Sequence, residues 1–137
     1  MGLGKTIEAG LVLSQKWTER KRRILIITPA NLRKQWSQEL EEKFFLPTLI
    51  LEAKNYNRIV KNGVRHPFEQ EVLVLCSFQF AARHSEDLMV TRWDLVVIDE
   101  AHRLRNVYRP DNKIGKALKG ALSSAPKVLL TATPVGT

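Results

Sequence analysis

An α/β domain with a mainly parallel sheet between layers of helices is the fold class this sequence predicts, on three observations. Short runs of Ile, Val and Leu alternate with longer amphipathic stretches, as parallel strands alternate with crossover helices. Most of those runs are continuously apolar, which implies strands buried on both faces of the sheet. Length agrees: 137 residues fit one domain, for which burial of about 70% of the unfolded surface is typical.

The elements follow in order. A first helix is expected over 5–19, with Ile7, Gly10, Leu11 and Ser14 on one face. A strand at 24–28 leads to Pro29 and a second helix, where Leu32, Trp36 and Leu40 recur every fourth position and form one stripe. A strand at 48–52 is followed by a polar connection over 55–70, containing Gly63 and Pro67, with room for a short helix. Strands at 72–77 and 95–99 come next. After Pro110 and Asp111, a proline and a candidate N-cap, a third helix carries Ile114, Ala117, Leu118 and Leu122 and stops before Pro126. A strand at 128–131 closes the series. The sequence contains no internal repeat, low-complexity tract or interdomain linker.

Composition narrows the function classes. Hydrophobic residues at 44% and charged residues at 26% disfavour a disordered, collagen-like or coiled-coil chain. The longest apolar runs are four to six residues, too short to span a bilayer. An excess of 22 Lys and Arg over 14 Asp and Glu, net +8, favours a polyanionic partner, either nucleic acid or nucleotide phosphate. The single cysteine, Cys76, excludes an internal disulfide and a cysteine zinc cluster and fits a reducing cytosolic compartment. The N-terminus lacks a basic stretch followed by an apolar h-region, so no secretory signal is expected.

The chain opens on Met1-Gly2-Leu3-Gly4-Lys5-Thr6 and runs directly into a helix. Glycine lets backbone N–H groups close on phosphate oxygens, and the helix N-terminus adds partial positive charge. Lys5 is placed to reach β and γ phosphates, and the Thr6 hydroxyl to ligate Mg²⁺. Only the second half of the G-x-x-x-x-G-K-[ST] pattern is present, and Gly-Lys-Thr alone also fits an ordinary helix start. A partner motif shifts the balance. Leu95-Val96-Val97-Ile98-Asp99-Glu100 is an apolar strand ending in two acids, which puts Asp99 at the carboxyl edge of the sheet beside the phosphate loop. There Asp99 would hold Mg²⁺, through water, and Glu100 would orient or deprotonate the attacking water. A solvated acidic turn is the plain alternative. A metalloprotease is excluded by the absence of H-E-x-x-H along a helix.

With Asp99-Glu100-Ala101-His102 in view, the chain resembles the first RecA-like domain of superfamily two helicases, most closely Swi/Snf-type double-stranded-DNA translocases and their bacterial relatives. MGLGKTIEAG at 1–10 is similar to motif I, and Thr28 through Trp36 followed by Glu39 to motif Ia. Ser77-Phe78 resembles the next block, DEAHRLRN at 99–106 motif II in its Swi/Snf form, and Thr131-Ala132-Thr133-Pro134 motif III. The resemblance implies a three-layer RecA-like P-loop fold and ATP hydrolysis with Mg²⁺, coupled to movement along nucleic acid, duplex DNA rather than RNA. It implies Gly2, Leu3, Gly4, Lys5 and Thr6 as nucleotide-binding residues. Lys5, Asp99, Glu100 and His102 become catalytic, with His102 linking the hydrolytic site to motif III. It makes Thr28, Arg33 and Ser77 tracking-strand contacts and Thr131, Ala132 and Thr133 coupling residues. A small-molecule P-loop kinase would leave motifs Ia, II and III unexplained.

Against that family's pattern the chain lacks the adenine-gripping residues, half the phosphate loop and the strand that feeds it. It also lacks the second RecA-like domain with its arginine finger, a group worth roughly 10³ to 10⁵ in rate. The expectation is a partial ATP-binding domain over 1–137, truncated at both ends, marginally stable and weakly active alone. A second RecA-like domain is expected in the parent protein, in bacterial cytosol or nucleoid. The competing reading is a non-catalytic basic module that binds nucleic acid or a partner.

The remaining residues carry plainer readings. Trp17, Trp36 and Trp93 fit core packing. The basic run at 20–23 precedes a strand, at the edge opposite the carboxyl ends, and fits a solvated connection. Arg103, Arg105, Arg109, Lys113, Lys116 and Lys119 fit either phosphate contacts or a solvated face. His66 and His84 have no ligand-spaced partners, and Cys76 fits a buried small hydrophobe.

Overall fold

The structure, a computed structural model, describes residues 3–100 and 113–130, with side chains from Ile7 onward. Helix α1 (Leu3–Thr18) precedes β1 (Ile24–Ile27), a 3₁₀ turn (Ala30–Leu32), α2 (Arg33–Phe44) and β2 (Thr48–Ile50). Then come α3 (Ala53–Lys61), a 3₁₀ turn (Pro67–Glu69), β3 (Leu73–Cys76), α4 (Phe78–Arg83), α5 (Ser85–Val90), β4 (Leu95–Ile98), α6 (Lys113–Ala121) and β5 (Lys127–Leu129). The five strands form one sheet in the order β2-β3-β1-β4-β5, every neighbouring pair parallel. All five strands expected from the apolar runs are present.

The continuous runs are explained by two covering layers. Ile24 and Ile26 of β1, Leu73 and Leu75 of β3, and Leu95 and Val97 of β4 point to one face, against Ala9 and Leu13 of α1 and Trp36 and Leu40 of α2. The alternate residues, Leu25, Ile27, Val74, Cys76, Val96 and Ile98, point to the other, against Phe68, Phe80, Leu88 and Leu118. Because side chains alternate with period two, a strand covered on both faces needs an apolar residue at every position, and β1, β3 and β4 are buried throughout.

Two local expectations change, and one is met. The buried row of α1 is Ala9 and Leu13 with Gly10, whereas Ile7 and Leu11 are exposed at 43% and 62%. The helix is rolled so that Gly10 meets α2, where a Cβ would stand 2.2 Å from the Phe44 ring; the close approach of the two helices sets the face. The short helix for which the polar connection over 55–70 left room forms as α3, starting two residues earlier at Ala53; in its capping box the Asn55 Oδ1 accepts from the Glu52 N–H at 2.8 Å. Beyond that helix the same connection buries Phe68, which is 1% exposed. Between β3 and β4 the chain folds into α4 and α5; the Ser77 hydroxyl caps α4 by accepting from the Phe80 N–H at 3.1 Å.

Among the described residues no helix is long and apolar enough to cross a membrane. Cys76 is fully buried, and burial pushes its thiol up to about 12. We expect no labelling of the folded chain by a thiol reagent at pH 8, and complete labelling in denaturant. The unfolded thiol ionises near pH 9, so the folded state binds more protons above that pH. This stabilising contribution is complete below about pH 9 and is lost as pH rises towards 12. Labelling of native protein at the unfolded rate would refute the burial.

Candidate functional site

Parallel pairing in register aligns Ile27 with Ile98, so the residues after them, Thr28 and Asp99, emerge side by side at the carboxyl edge. The Asp99 N–H donates to the Ile27 carbonyl at 2.8 Å, prolonging the ladder by one bond. The Asp99 side chain is then enclosed, with 1% of the residue exposed. Its Oδ2 accepts from the Thr28 hydroxyl at 3.0 Å and from the Trp36 indole N–H at 3.0 Å, and its Oδ1 accepts from the Glu100 N–H at 2.9 Å. An unpaired carboxylate at this depth would be costly; donors from β1, α2 and the chain itself compensate the burial and hold both oxygens in place.

Glu100 follows with φ of 57°, a left-handed conformation uncommon for a side chain of this kind. The turn takes the chain off the sheet immediately after Asp99. Strain of this sort is maintained only where surrounding structure enforces it, and such places include functional sites.

The course of α1 brings the opening motif to the same edge. Its C-terminus joins β1 at the amino edge, so packed on the sheet it runs antiparallel to β1. Its 16 residues rise about 24 Å, more than the strand's length. The first turn, with the backbone of Gly4, Lys5 and Thr6, therefore lies at the carboxyl edge and turns that way N–H groups that have no partner within the helix. The side chains of Leu3, Gly4, Lys5 and Thr6 lie outside the described residues, as do Met1, Gly2, His102, Thr131, Ala132 and Thr133 entirely. The Leu130 N–H donates to the Ile98 carbonyl at 2.9 Å, which leaves the chain at this edge too.

Arg33 and Ser77 meet in a cavity of about 300 Å³, whose other polar lining is Glu52, Lys54, Gln79 and Arg83. The Arg33 Nε donates to the Ala30 carbonyl at 3.0 Å, and its guanidinium pairs with Glu52 at 3.3 Å. Three cations against one carboxylate give the cavity a positive lining. Thr28 does not join them. It is fully buried, with its hydroxyl on Asp99, which corrects the expectation that its side chain reaches a nucleic-acid strand. Trp36, 3% exposed, packs as its spacing implies, but its indole N–H also fixes Asp99. Sequence reasoning missed that role and also missed Lys54, Gln79 and Arg83. Their one legible signal was Ser77 as an N-cap, which starts a helix carrying Gln79 and Arg83 on the cavity side.

A hard divalent cation takes oxygen ligands, and the fixed Asp99 carboxylate is a fitting donor at the edge where the Thr6 backbone also lies. Among the described residues no group of three His, Cys, Asp or Glu is assembled for a metal, so any cation here would depend on phosphate oxygens and water as well.

Comparison with known proteins gives three concordant findings. The family described as SNF2-related domain matches residues 1–137. RNA polymerase-associated protein RapA of Serratia proteamaculans (strain 568) is 37% identical over 139 residues, covering 98% of this chain and 14% of the relative. RapA of Sodalis glossinidius (strain morsitans) matches with the same identity and coverage. A solved structure, the Sulfolobus solfataricus SWI2/SNF2 ATPase core in complex with dsDNA, superposes with TM-score 0.71 at 25% identity, over 98% of this chain and 26% of its own. The chain thus spans about a seventh of the RapA relatives' length.

Proposed function

The chain belongs to the SNF2-related domain family, and from that membership we propose that this ATPase domain is the ATP-binding part of a translocase that moves along duplex DNA. The observation that carries the proposal is the Asp99 carboxylate, fixed by Thr28 and Trp36 at the edge where α1 begins. That juxtaposition is what a phosphate loop and its acidic partner require.

In this reading backbone N–H groups of Gly2, Leu3, Gly4, Lys5 and Thr6 cradle the phosphates, and the Lys5 ammonium neutralises the β and γ groups. The Thr6 hydroxyl and Asp99 hold Mg²⁺. When bound, the cation supplies charge neutralisation on the phosphate oxygens. Glu100 orients water and accepts its proton at the side-chain carboxylate. Thr28 and Trp36 are positioning residues for Asp99. His102, Thr131, Ala132 and Thr133 connect hydrolysis to the DNA contacts, and Arg33 and Ser77 touch the phosphate backbone from their cavity, joined by Lys54 and Arg83. The duplex bound to the Sulfolobus ATPase core supports DNA as the track. A second RecA-like domain completes the cleft in the parent protein.

Titration of the 137-residue chain with a fluorescent ATP analogue and with duplex DNA tests the proposal. Nucleotide is expected to bind, and Lys5→Ala to weaken it about tenfold or more by removing a charge-assisted contact, with an unchanged thermal midpoint. Binding of DNA with no nucleotide binding would instead identify a basic module.

A further inference from the structure

At the amino edge of the sheet, about 16 Å along β4 from Asp99, a larger cavity of about 630 Å³ is lined by Arg20, Arg22, Arg23, Glu71, Arg92 and Asp94. In sequence the run at 20–23 fits a solvated connection; in the fold it converges with Arg92 from the α5–β4 loop. Arg23 is partly neutralised by Glu69 at 3.7 Å, and its N–H donates to Asp94 at 3.1 Å. Among the described residues Arg20, Arg22 and Arg92 form no ion pair, although two carboxylates share the cavity.

Two further features make this more than a basic surface. Arg22 is held with its guanidinium carbon 4.6 Å from the centre of the Trp17 ring, and its Nε is buried without a hydrogen-bond partner. A buried donor of this kind is costly unless an acceptor arrives. Arg20 occupies the position that ends α1. The Lys21 N–H donates to the Lys16 carbonyl at 2.9 Å and the Arg20 N–H to the Trp17 carbonyl at 3.0 Å, the Schellman closure in which glycine is usual. Arg20 nonetheless takes φ of 66°, a conformation that strains any side chain bearing a Cβ.

We propose that this cavity is a phosphate-binding site, separate from the carboxyl edge. Phosphate suits it better than carboxylate because two carboxylates in its wall leave three arginines unpaired. A phosphate group offers more acceptor oxygens and matches the guanidinium fork. The site is independent of the nucleotide reading.

The test uses the 137-residue chain carrying Lys5→Ala, so that the carboxyl-edge site contributes little, with three probes: inorganic tripolyphosphate, short duplex DNA and a glutamate-rich peptide. Arg20→Gly and Arg92→Gln are each expected to weaken a phosphate probe about tenfold, and Glu71→Gln to tighten it a few-fold by removing repulsion. Arg20→Gly relieves the left-handed strain, so its thermal midpoint should equal or exceed that of the parent, which separates lost binding from lost folding. Tighter binding of tripolyphosphate would identify a free polyphosphate as the source, and tighter binding of duplex a nucleic-acid backbone. Affinity insensitive to Arg20 and Arg92, or preference for the glutamate peptide, overturns the proposal.

Discussion

Asp99→Ala is expected to abolish ATP hydrolysis in any form of the protein that turns over, and to destabilise the isolated chain by about 2–5 kcal/mol. The stability loss comes from two buried donors, the Thr28 hydroxyl and the Trp36 indole N–H, left without their acceptor. Asp99→Asn separates the two effects. Its amide oxygen can still accept from Thr28 and Trp36, while its NH₂ faces the Glu100 N–H in place of an acceptor. It should cost about 1–3 kcal/mol and still lose hydrolysis, because the negative charge is gone. Urea unfolding of the parent and both variants measures the ranking. An Asp99→Ala midpoint equal to that of the parent would show that the three hydrogen bonds do not form.

Phe68→Ala is expected to cost about 3–5 kcal/mol, a large share of the roughly 5–15 kcal/mol that stabilises an ordinary domain. Phe68 is 1% exposed, and its ring centroid lies 6.0–6.3 Å from those of Tyr56, Phe80, His84 and Trp93. Truncation opens a hole under α3 and α4 that rigid neighbours cannot fill. Phe45→Ala is the internal control: Phe45 is 85% exposed, and the change should stay within about 0.5 kcal/mol. Thermal unfolding followed by near-ultraviolet circular dichroism reads both, and equal midpoints would contradict the burial of Phe68.

Strands were legible because two-sided burial makes them continuously apolar, and β1, β3 and β4 are unmistakable as ILII, LVLC and LVVI. The sequence-based boundaries ran one or two residues too far at the carboxyl ends. The polar residues there, Thr28, Glu52, Ser77 and Asp99, leave the strand to hold one another, open a helix or cap one. Helices α4 and α5 were illegible for another reason. At six residues each they are shorter than two turns, too short for a 3.6-residue period to declare itself. They form on a Ser77 cap and on packing against α6.

Of the site, the motif residues could be named from order and spacing, because phosphate and metal chemistry demand particular groups at particular offsets. Their neighbours could not. Thr28 looked like a surface contact and is the most buried of the site residues; Trp36 looked like packing alone and also fixes a carboxylate.

Local pattern was enough to establish that this chain makes a two-sided parallel sheet and carries the residues of an SNF2-type ATPase, since apolar run length and motif spacing are properties of short segments. Tertiary structure decided which side chains hold Asp99, which face α1 buries, and that Arg92 joins the run at 20–23 around one cavity. Those contacts join residues about 35 to 70 positions apart, brought together by strand register and helix approach, and no local pattern encodes them.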